Sequence, residues 1–395
     1  MKILIVSFYY SPEIGAAPSR ITNMAEGLQA KGAEVDVLTS LPNYPKGRIF
    51  DNYRGCFHKK ELLNGINIYR YWVLASVTKN PLIRLMGMFS FSLTMWAFAF
   101  KIKRIHSYDK VIIQSPPILV AFSAVILFGC LFKKNTVLNV SDLWPLSAIE
   151  LGAIKEGSIY HKVMAWMERF IYRHSTMYQG QSDEIIQHIQ AFVPKKKHFL
   201  YRNLQHSVST NTSQGPRKPL KIVYAGLLGV AQDILGIVKQ INFKELHAEL
   251  HLYGGGNQTE DIKTFIRGND TGVFYHGYVE KQNMAQELAQ YHASIVPLTV
   301  KIKGAVPSKI YDLLPVGIPI LFCGEGEGAD IIEKYGLGYV SNSGDFVALA
   351  NNIRKIASLP EEEYKRIRMN CFTASSGDFS FEKQMEKYYY FLSNE

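Results

Sequence analysis

A cation and a carboxylate stand three residues apart in "AVPSKIYDLLPVGIPILF" (305–322). Pro307 is a residue type that begins helices, so Ser308 and Lys309 fall where free N–H groups attract an anion. Asp312 follows one turn later on roughly the same face, where its carboxylate could accept two hydroxyls of a ribose. The pattern predicts a nucleotide-diphosphate site. The alternative is an ordinary helix whose Lys309 and Asp312 side chains face water.

A second carboxylate follows an apolar run and stands beside an aromatic residue. In "NVSDLWPLSAIELGA", Asp142 ends the run and Trp144 comes two residues later. A carboxylate in this position suits binding a sugar hydroxyl or taking its proton. Asp142 is therefore a candidate catalytic residue together with Lys309, and Trp144 a candidate acceptor contact. The alternative is that Asp142 only caps the next turn.

Glycine-containing loops precede three further helical patterns. In "YYSPEIGAAPSR", Gly15 allows close backbone approach to an anion, and Arg20 could pair with phosphate or with an acid. The alternative there is a plain turn and cap. In "VYAGLLGVAQD", Gly226 would let a ligand lie against main chain and Gln232 could donate a hydrogen bond.

The last of these loops, "HLYGGGNQTED", contains Gly254 and Gly255 after a strand-like run. It is typical of a diphosphate or nucleotide approach. It is not the Gly-x-Gly-x-x-Gly pattern of dinucleotide folds, and the ribose acid of those folds is not clear downstream.

The elements that must position these residues alternate between strands and helices. In the first half "KILIVSF", "EVDVLT", "KVIIQS" and "TVLNVS" are strand-like, and after residue 219 the alternation restarts with "KIVYAG". This predicts an α/β fold of two doubly wound Rossmann-like domains facing across a cleft. The polar stretch 207–219 is the predicted linker between domains at 1–206 and 220–376. The aromatic tail 377–395 is predicted to be a helix that returns to the first domain.

The net charge of +10 is unevenly placed, because no acid occurs between Glu61 and Asp109. The span 70–104 carries the run "LMGMFSFSLTMWAFAF" and six cations: Arg70, Lys79, Arg84, Lys101, Lys103 and Arg104. A basic, aromatic-rich apolar helix suits a membrane surface. The alternative is a buried helix with solvated ends. Nucleic acid ranks below the membrane as a partner, since no nucleic-acid motif accompanies the charge.

Two other apolar runs are not predicted to be targeting or spanning segments. The uncharged run at 111–132 is split by Pro116 and Pro117, so a buried strand and a buried helix are expected. The N-terminal run is short and lacks a cleavage-like site, so it is interpreted as a first strand. The four cysteines are scattered, which predicts neither a zinc site nor a disulfide framework and favours a reducing compartment.

Five motifs in order resemble those of the retaining glycosyltransferases of family four, which have the GT-B fold. They are "PEIGAAPSRI", "SDLWPLSAIELGA", "YAGLLGVAQ", "VPSKIYDLLPVGIPIL" and "GEGADIIEKYGLGYV". Within that family the chain is most similar to the N-acetylfucosaminyltransferase-type enzymes of bacterial O-antigen and capsule synthesis. The resemblance implies front-face transfer from a nucleotide sugar, usually UDP-linked, without metal or other cofactor. The donor would bind the second domain and the acceptor the first.

The resemblance also assigns residues by position. It places Gly15 near the donor phosphate, Asp142 near the reacting sugar, Tyr278 near the base, Lys309 and Asp312 at phosphate and ribose, and Glu327 beside the sugar pocket. The chain departs from the family where many members have an acid, here Gly304, and where they have a cation, here Leu227. Gln232 takes the place of the second family cation. Lys309, with Lys301 or Lys303, would replace the missing charge.

The leading hypothesis is a peripheral enzyme on the cytoplasmic face of the inner membrane that extends a polyprenyl-diphosphate-linked glycan. A second hypothesis is a non-catalytic, transferase-like scaffold that partners an active enzyme, which Leu227 and Gly304 favour. A third is a nucleotide-sugar epimerase with His276 beside the sugar, although "SDLWP" and "PSKIYD" do not fit that pattern.

Overall fold

The chain forms two compact units, each built around its own sheet. The computed structural model describes residues 1–76, 81–101, 103–206, 218–299 and 301–394. The first unit comprises Met1–Asn203 and Glu382–Glu395, and the second comprises Leu204–Phe381. Most of the predicted linker at 207–219 lies outside the described residues.

Eight strands form the sheet of the first unit: β1 (Lys2–Val6), β2 (Glu34–Ser40), β3 (His58–Leu63), β4 (Ile66–Tyr71), β5 (Lys110–Ser115), β6 (Asn135–Val140), β7 (Met177–Gly180) and β8 (His198–Leu200). Their order across the sheet is β3-β4-β2-β1-β5-β6-β7-β8, and every neighbouring pair is parallel except β3 with β4. The central strands are buried along both faces, as in parallel sheets covered by helices on each side.

The helices of this sheet are α1 (Ala16–Ala30), α2 (Pro81–Lys101), α3 (Ile118–Ala124), α4 (Leu146–Glu150), α5 (Ile159–His174) and α6 (Asp183–Phe192). The helical period of α1 buries Ile21, Met24 and Leu28, and the helix ends before Gly32, whose φ is +92°. The uncharged run at 111–132 forms β5 and α3, and α3 continues as a π-helical segment over Val125–Leu131.

The hairpin β3–β4 corrects the prediction for the start of the basic span. Asn64 and Gly65, with φ values of +51° and +79°, make the turn between these antiparallel strands. Asn-Gly is a strong hairpin signal that the sequence interpretation missed. Arg70 in β4 is fully buried and pairs with Glu61, so its charge is compensated inside the protein and is not available to a membrane.

Helix α2 contains most of the remaining span. Its inner face buries Phe91, Met95 and Phe98, while Arg84 is exposed. Lys79 and the side chains of Lys101, Lys103 and Arg104 lie outside the described part of the chain. Among the described residues, no helix combines the length and apolar character needed to cross a bilayer.

Six parallel strands form the second sheet: β9 (Leu220–Ala225), β10 (Ala248–Tyr253), β11 (Val273–Gly277), β12 (Ala293–Pro297), β13 (Ile320–Cys323) and β14 (Gly338–Ser341). Their order is β11-β10-β9-β12-β13-β14. The helices are α7 (Ile234–Gln240), α8 (Thr259–Gly268), α9 (Lys281–Leu288), α10 (Lys309–Leu313), α11 (Glu327–Tyr335), α12 (Phe346–Ala357) and α13 (Glu361–Ser376).

The last helix, α14 (Phe381–Ser393), packs against the first unit. The Tyr388 ring lies 4.9 Å from the Tyr201 ring, measured between centroids. The side chain of Gln384 accepts a hydrogen bond from Arg202 N and donates one to Arg202 O, at 2.9 Å and 3.0 Å. Aromatic packing and a two-sided amide contact therefore hold the C-terminal helix.

Candidate active site

The predicted donor residues follow the carboxyl ends of five adjacent strands in the second unit. Gly226 and Gln232 follow β9, Gly254 and Gly255 follow β10, and Tyr278 follows β11. Pro307, Ser308, Lys309 and Asp312 follow β12, and Glu327 follows β13. Parallel strands end at the same edge of a sheet, which is the edge where open α/β sheets bind ligands.

The first three of these loops interlock through their main chains. Gly226 N donates to Tyr253 O at 2.9 Å, and Gly254 N donates to Gly277 O at 2.7 Å. A Cβ atom on Gly254, whose φ is +115°, would lie 2.0 Å from Gly226 O. Only glycine allows this approach of two backbones. Gly255 is exposed, and a Cβ on it would meet only Thr259 Oγ1, at 3.9 Å.

We name the interlocked backbone around Gly226 and Gly254 the glycine layer, and the Lys309 side chain contacts it at Gly226. A Cβ atom on Gly226 would lie 2.2 Å from both Lys309 Cε and Lys309 Nζ. The ammonium also lies 5.4 Å from the centre of the Tyr224 ring. Burial lowers the pKa of Lys309, and the charge of Asp312 opposes that shift. Among the described residues, no carboxylate forms an ion pair with Lys309 within 4 Å. Lys309 is therefore a half-buried cation that has no ion-pair partner in the described part of the chain.

The segment around Lys309 shows where the positive charge originates. Helix α10 is only five residues long, so its dipole is small and Lys309 itself supplies the charge. The main-chain oxygen of Ser308 accepts bonds from Tyr311 N and Asp312 N, and the Ser308 side chain makes no cap bond. Asp312 is exposed, and its Oδ1 accepts a hydrogen bond from Gln205 Nε2 at 3.0 Å.

The other predicted donor residues lie in different surroundings. Tyr278 is 73% exposed and packs little against the core. Glu327 is buried in the first turn of α11. Gln232 lines a small cavity with Thr299 and Cys323, and its Oε1 is buried without a hydrogen-bond partner among the described residues.

Leu227 and Gly304, the two positions where the chain departs from the family pattern, lie in different surroundings. Leu227, at a position where many members carry a cation, is 60% exposed. Gly304 is buried with a φ of +82°, a conformation that disfavours the acid found in many members. Lys301 lies 4.0 Å from Glu325 and is exposed. Lys309 is therefore a half-buried cation next to the glycine layer, whereas Lys301 is an exposed one.

In the first unit, a buried carboxylate that the sequence interpretation missed holds the Gly15 loop. Glu13 accepts backbone hydrogen bonds from Tyr10, Asn43 and Tyr44, at 3.1, 2.9 and 2.8 Å. It ties the loop after β1 to the loop after β2. A Cβ on Gly15, whose φ is +154°, would lie 3.1 Å from the Tyr44 ring. An acid three residues before a helix, in the loop that follows a buried strand, was the available signal.

Arg20 and Asp142 come together at the carboxyl edge of the first sheet. Arg20 is buried, its Nη1 donates to Gln181 Oε1 at 3.1 Å, and its Nε has no partner among the described residues. Burial raises the pKa of Asp142, and the Arg20 charge opposes that rise. Arg20 is therefore coupled electrostatically to Asp142, although the two side chains do not form an ion pair within 4 Å.

Three buried side-chain amides form a hydrogen-bonded row that ends at Ser141, the residue before Asp142. Asn139 Nδ2 donates to Gln114 Oε1 at 2.5 Å, and Gln179 Nε2 donates to Asn139 Oδ1 at 3.0 Å. Gln114 Nε2 in turn donates to Ser141 Oγ at 3.0 Å, one residue before Asp142. This row crosses β5, β6 and β7 and fixes the chain that carries Asp142. The half-buried Trp144 packs on the core beside it.

The chain matches two domain families in succession. Residues 15–201 match the family described as "Glycosyl transferase 4-like domain", and residues 219–358 match "Glycosyl transferases group 1". Together with two parallel-sheet units, these matches define the glycosyltransferases of the GT-B fold. The chain carries a glycosyl transferase 4-like domain followed by a group 1 domain. The predicted fold is confirmed.

Individual relatives cover different shares of the chain. The Escherichia coli (strain K12) protein "Putative colanic acid biosynthesis glycosyl transferase WcaI" is 29% identical over 157 residues, which is 40% of this chain and 38% of the relative's length. Sucrose-phosphate synthase of Thermosynechococcus elongatus aligns over 99% of both chains with a TM-score of 0.71 and 14% identity. HepE of Anabaena, in complex with UDP, aligns over 100% of both chains with a TM-score of 0.67 and 14% identity. At these identities the two structural likenesses show the fold alone.

Proposed function

We propose that the chain is a retaining glycosyltransferase that moves a sugar from a nucleotide donor to a polyprenyl-diphosphate-linked glycan. One observation carries this proposal: the half-buried Lys309 ammonium lies against Gly226, and among the described residues no carboxylate lies within 4 Å of it. A cation partly withdrawn from water is stabilised by an anion held close to it. A donor diphosphate laid along the glycine layer would supply that anion and leave its sugar at the same edge of the sheet.

Two similarities support the choice of donor and pathway. The structural neighbour HepE was solved with UDP, which favours a UDP-linked donor. The relative WcaI is named for colanic acid biosynthesis, and the five sequence motifs resemble N-acetylfucosaminyltransferase-type enzymes. We therefore propose an N-acetylated or deoxy sugar as the transferred group, in O-antigen or capsular polysaccharide synthesis.

The charges suggest separate chemical roles for the two units. Breaking the bond between sugar and diphosphate leaves negative charge on the leaving group, which Lys309 would stabilise because it is already in place beside the glycine layer. In retaining transfer the acceptor oxygen attacks from the face that the diphosphate leaves, and the departing phosphate takes its proton. Asp142, which follows the residue bonded to the amide row and is coupled to the charge of Arg20, would bind a sugar hydroxyl and orient the reacting ring. With Lys309 supplying the cation, we expect transfer without a metal ion.

The proposed acceptor determines where the protein acts. A polyprenyl diphosphate is anchored in a bilayer, so its sugars are reached at the membrane surface. We therefore propose that the chain works as a peripheral protein on the cytoplasmic face of the inner membrane. The exposed apolar residues of α2 agree with this placement.

The first test is calorimetric titration of the purified chain with UDP, GDP, ADP and CDP, in buffer containing EDTA. We expect UDP to bind most tightly and EDTA to have no effect. When Lys309→Ala is titrated in the same way, Lys301→Ala is the matched control for the loss of one positive charge, because Lys301 is exposed and paired with Glu325. Absence of binding by all four nucleotides would contradict the proposal and favour the scaffold hypothesis. A binding requirement for added magnesium would contradict the metal-free mechanism.

A further inference from the structure

Two helices of the first unit present apolar stripes to solvent. On α2 the stripe consists of Met86, Phe89 and Leu93, which are 52–58% exposed. On α5 it consists of Ile159, Val163 and Trp166, which are 42–83% exposed. Both sets follow helical spacing of three or four residues, so each forms one line along its helix.

These stripes are not the outer margins of buried faces. On α5 the buried side chains are Met164, Glu168, Ile171 and Tyr172, whose positions fall on the opposite side of the helix from the stripe. On α2 the buried Phe91 and Met95 lie opposite Met86 and Leu93 in the same way. Each helix is therefore apolar on both its core face and its solvent face. A helix that only covers a sheet has no need of the second apolar face.

Helix α3 joins the two stripes into one surface. Trp96 Nε1 on α2 donates to Ser123 Oγ on α3 at 3.0 Å. The neighbouring Phe122 packs against Trp166 and Phe170 on α5, with ring centroids 5.3 Å and 4.9 Å apart. Consecutive residues of α3 thus contact both helices, and we name the combined face of α2, α3 and α5 the three-helix surface.

The charges around this surface favour one kind of partner. Lys162, Arg169 and Arg173 are exposed and lie along one side of the α5 stripe by helical spacing. The one acid within α5, Glu168, is buried beside Tyr172 and His188. No acid occurs in the sequence of α2 or α3. Apolar side chains bordered by cations suit an anionic bilayer, in which acyl chains cover the stripe and lipid phosphates meet the cations.

The direction of the helices relates this surface to Asp142. Helix α2 leads from the end of β4 to the start of β5, and α5 leads from the β6 side to the start of β7. Both therefore begin at the carboxyl edge of the sheet, where Asp142 and Gly15 lie. The exposed stripes occupy the halves of α2 and α5 nearest that edge.

We infer that the three-helix surface docks the chain on anionic lipid and that α5 is essential for this docking. Docking would place the edge of the first sheet that carries Asp142 beside the lipid headgroups. This inference rests on the proposed function, because it names the surface that brings the first unit to a lipid-linked acceptor. It assigns a lipid contact to α5, which the sequence interpretation had not included in its basic span at 70–104.

The test is flotation of the full chain with vesicles of equal parts phosphatidylglycerol and phosphatidylcholine, and with phosphatidylcholine alone. We expect binding to the anionic vesicles that weakens with salt. Val163→Asp and Leu93→Asp should each weaken it about tenfold or more, because a charge is forced against acyl chains. The control is Val347→Asp, which changes an exposed valine on α12 of the second unit, and this variant should bind as the parent does.

A fluorescence measurement isolates the contribution of α5. Brominated lipid should quench the emission of the parent, and Trp166→Phe should remove most of that quenching while the other tryptophans stay in place. Full vesicle binding by Val163→Asp would overturn the role of α5. Failure of the parent to bind either vesicle would overturn the surface as a whole. A lipid-free dimer that Val163→Asp dissociates would show that a second copy covers it instead.

Nucleotide titration of the same variants separates this inference from the proposed function. Val163→Asp should bind UDP as the parent does. If the parent binds no nucleotide but its vesicle binding still depends on Val163, the donor assignment fails and the docking surface stands. If UDP binds normally and vesicle binding is indifferent to Val163, only the docking inference fails.

Discussion

The two units place a cation at the carboxyl edge of each sheet but hold it differently. In the first unit Arg20 is buried, donates a hydrogen bond to Gln181 and is coupled to the charge of Asp142. In the second unit Lys309 is half-buried against glycine and coupled to the charge of Asp312, with no hydrogen-bond or ion-pair partner among the described residues. A cation that is hydrogen-bonded within the protein suits holding neighbouring groups in place, whereas a cation without such a bond suits binding an anion. The difference gives each unit a distinct expected defect when its charge is removed.

The largest effect is expected from Asp142→Asn. Turnover should fall by about 10²–10⁴-fold, because the neutral amide can neither orient a hydroxyl as strongly nor share a proton. The measurement is UDP release from the sugar nucleotide that binds, alongside calorimetry of donor affinity, which should stay within twofold of the parent. Equal losses in affinity and turnover would show that Asp142 belongs to donor binding and would remove the contrast between units.

Asp142 also predicts a pH dependence. Its folded pKa is raised by burial, so the carboxylate gains its charge at higher pH than an exposed aspartate. If the ionised form is the active one, turnover should rise as the pH is raised through that pKa. The Asp142→Asn variant should lose this rise, and a profile that is unchanged in the variant would contradict the assignment.

Lys309→Ala should produce the next largest effect. UDP affinity should weaken by roughly 10- to 100-fold, the range for losing one charge-assisted hydrogen bond. Because burial lowers the pKa of Lys309, the parent should lose UDP affinity with rising pH earlier than an exposed lysine would allow, as the ammonium deprotonates. Lys309→Ala should show no such loss. A variant that binds UDP like the parent would disprove the phosphate role.

The glycine layer can be tested with a matched pair of substitutions. Gly254→Ala should lower the free energy of unfolding of the second unit by about 1–3 kcal/mol, since its Cβ meets Gly226 O at a positive φ. Gly255→Ala should change it by less than about 0.5 kcal/mol, because its Cβ meets only Thr259 Oγ1 at 3.9 Å. Chemical denaturation followed by circular dichroism measures both. Similar losses in the free energy of unfolding for the two variants would mean that the close approach of Gly254 to Gly226 does not explain the need for glycine in this loop.

The smallest effect is expected from adding a charge. Leu227→Arg should tighten UDP binding by about two- to fivefold, the scale of an exposed ion pair, since Leu227 is exposed beside the glycine layer. The double variant with Lys309→Ala should recover part of the lost affinity. If neither variant changes affinity, position 227 does not face the donor phosphates.

Several features of the fold and site followed from sequence patterns alone. Apolar runs of four to seven residues predicted most of the parallel strands, because burial on both faces leaves a continuous apolar signature. Gly226 and Gly254 could be chosen because glycine after such a run marks a close backbone approach. Lys309 could be chosen because Pro-Ser-Lys precedes a short helix after β12.

Other features depend on pairings that no local pattern states. The sequence pattern placed Arg70 in a basic span that would face a membrane. In the structure Arg70 pairs inside the protein with Glu61, nine residues earlier. Gln114 and Gln179 are ordinary polar residues in sequence, and only strand order makes them neighbours of Asn139.

The sequence by itself determined the class of the protein, the alternation of strands and helices, and which loops carry glycine, cation and acid. These depend on local composition and spacing, which act over a few residues. Tertiary structure alone decided the surroundings of each charge. Arg20 donates to Gln181 and is coupled to the charge of Asp142, although the three residues are far apart in the chain, while Lys309 lies against Gly226. These surroundings depend on distance in space and on burial, and both are set only when the strands assemble in their final order.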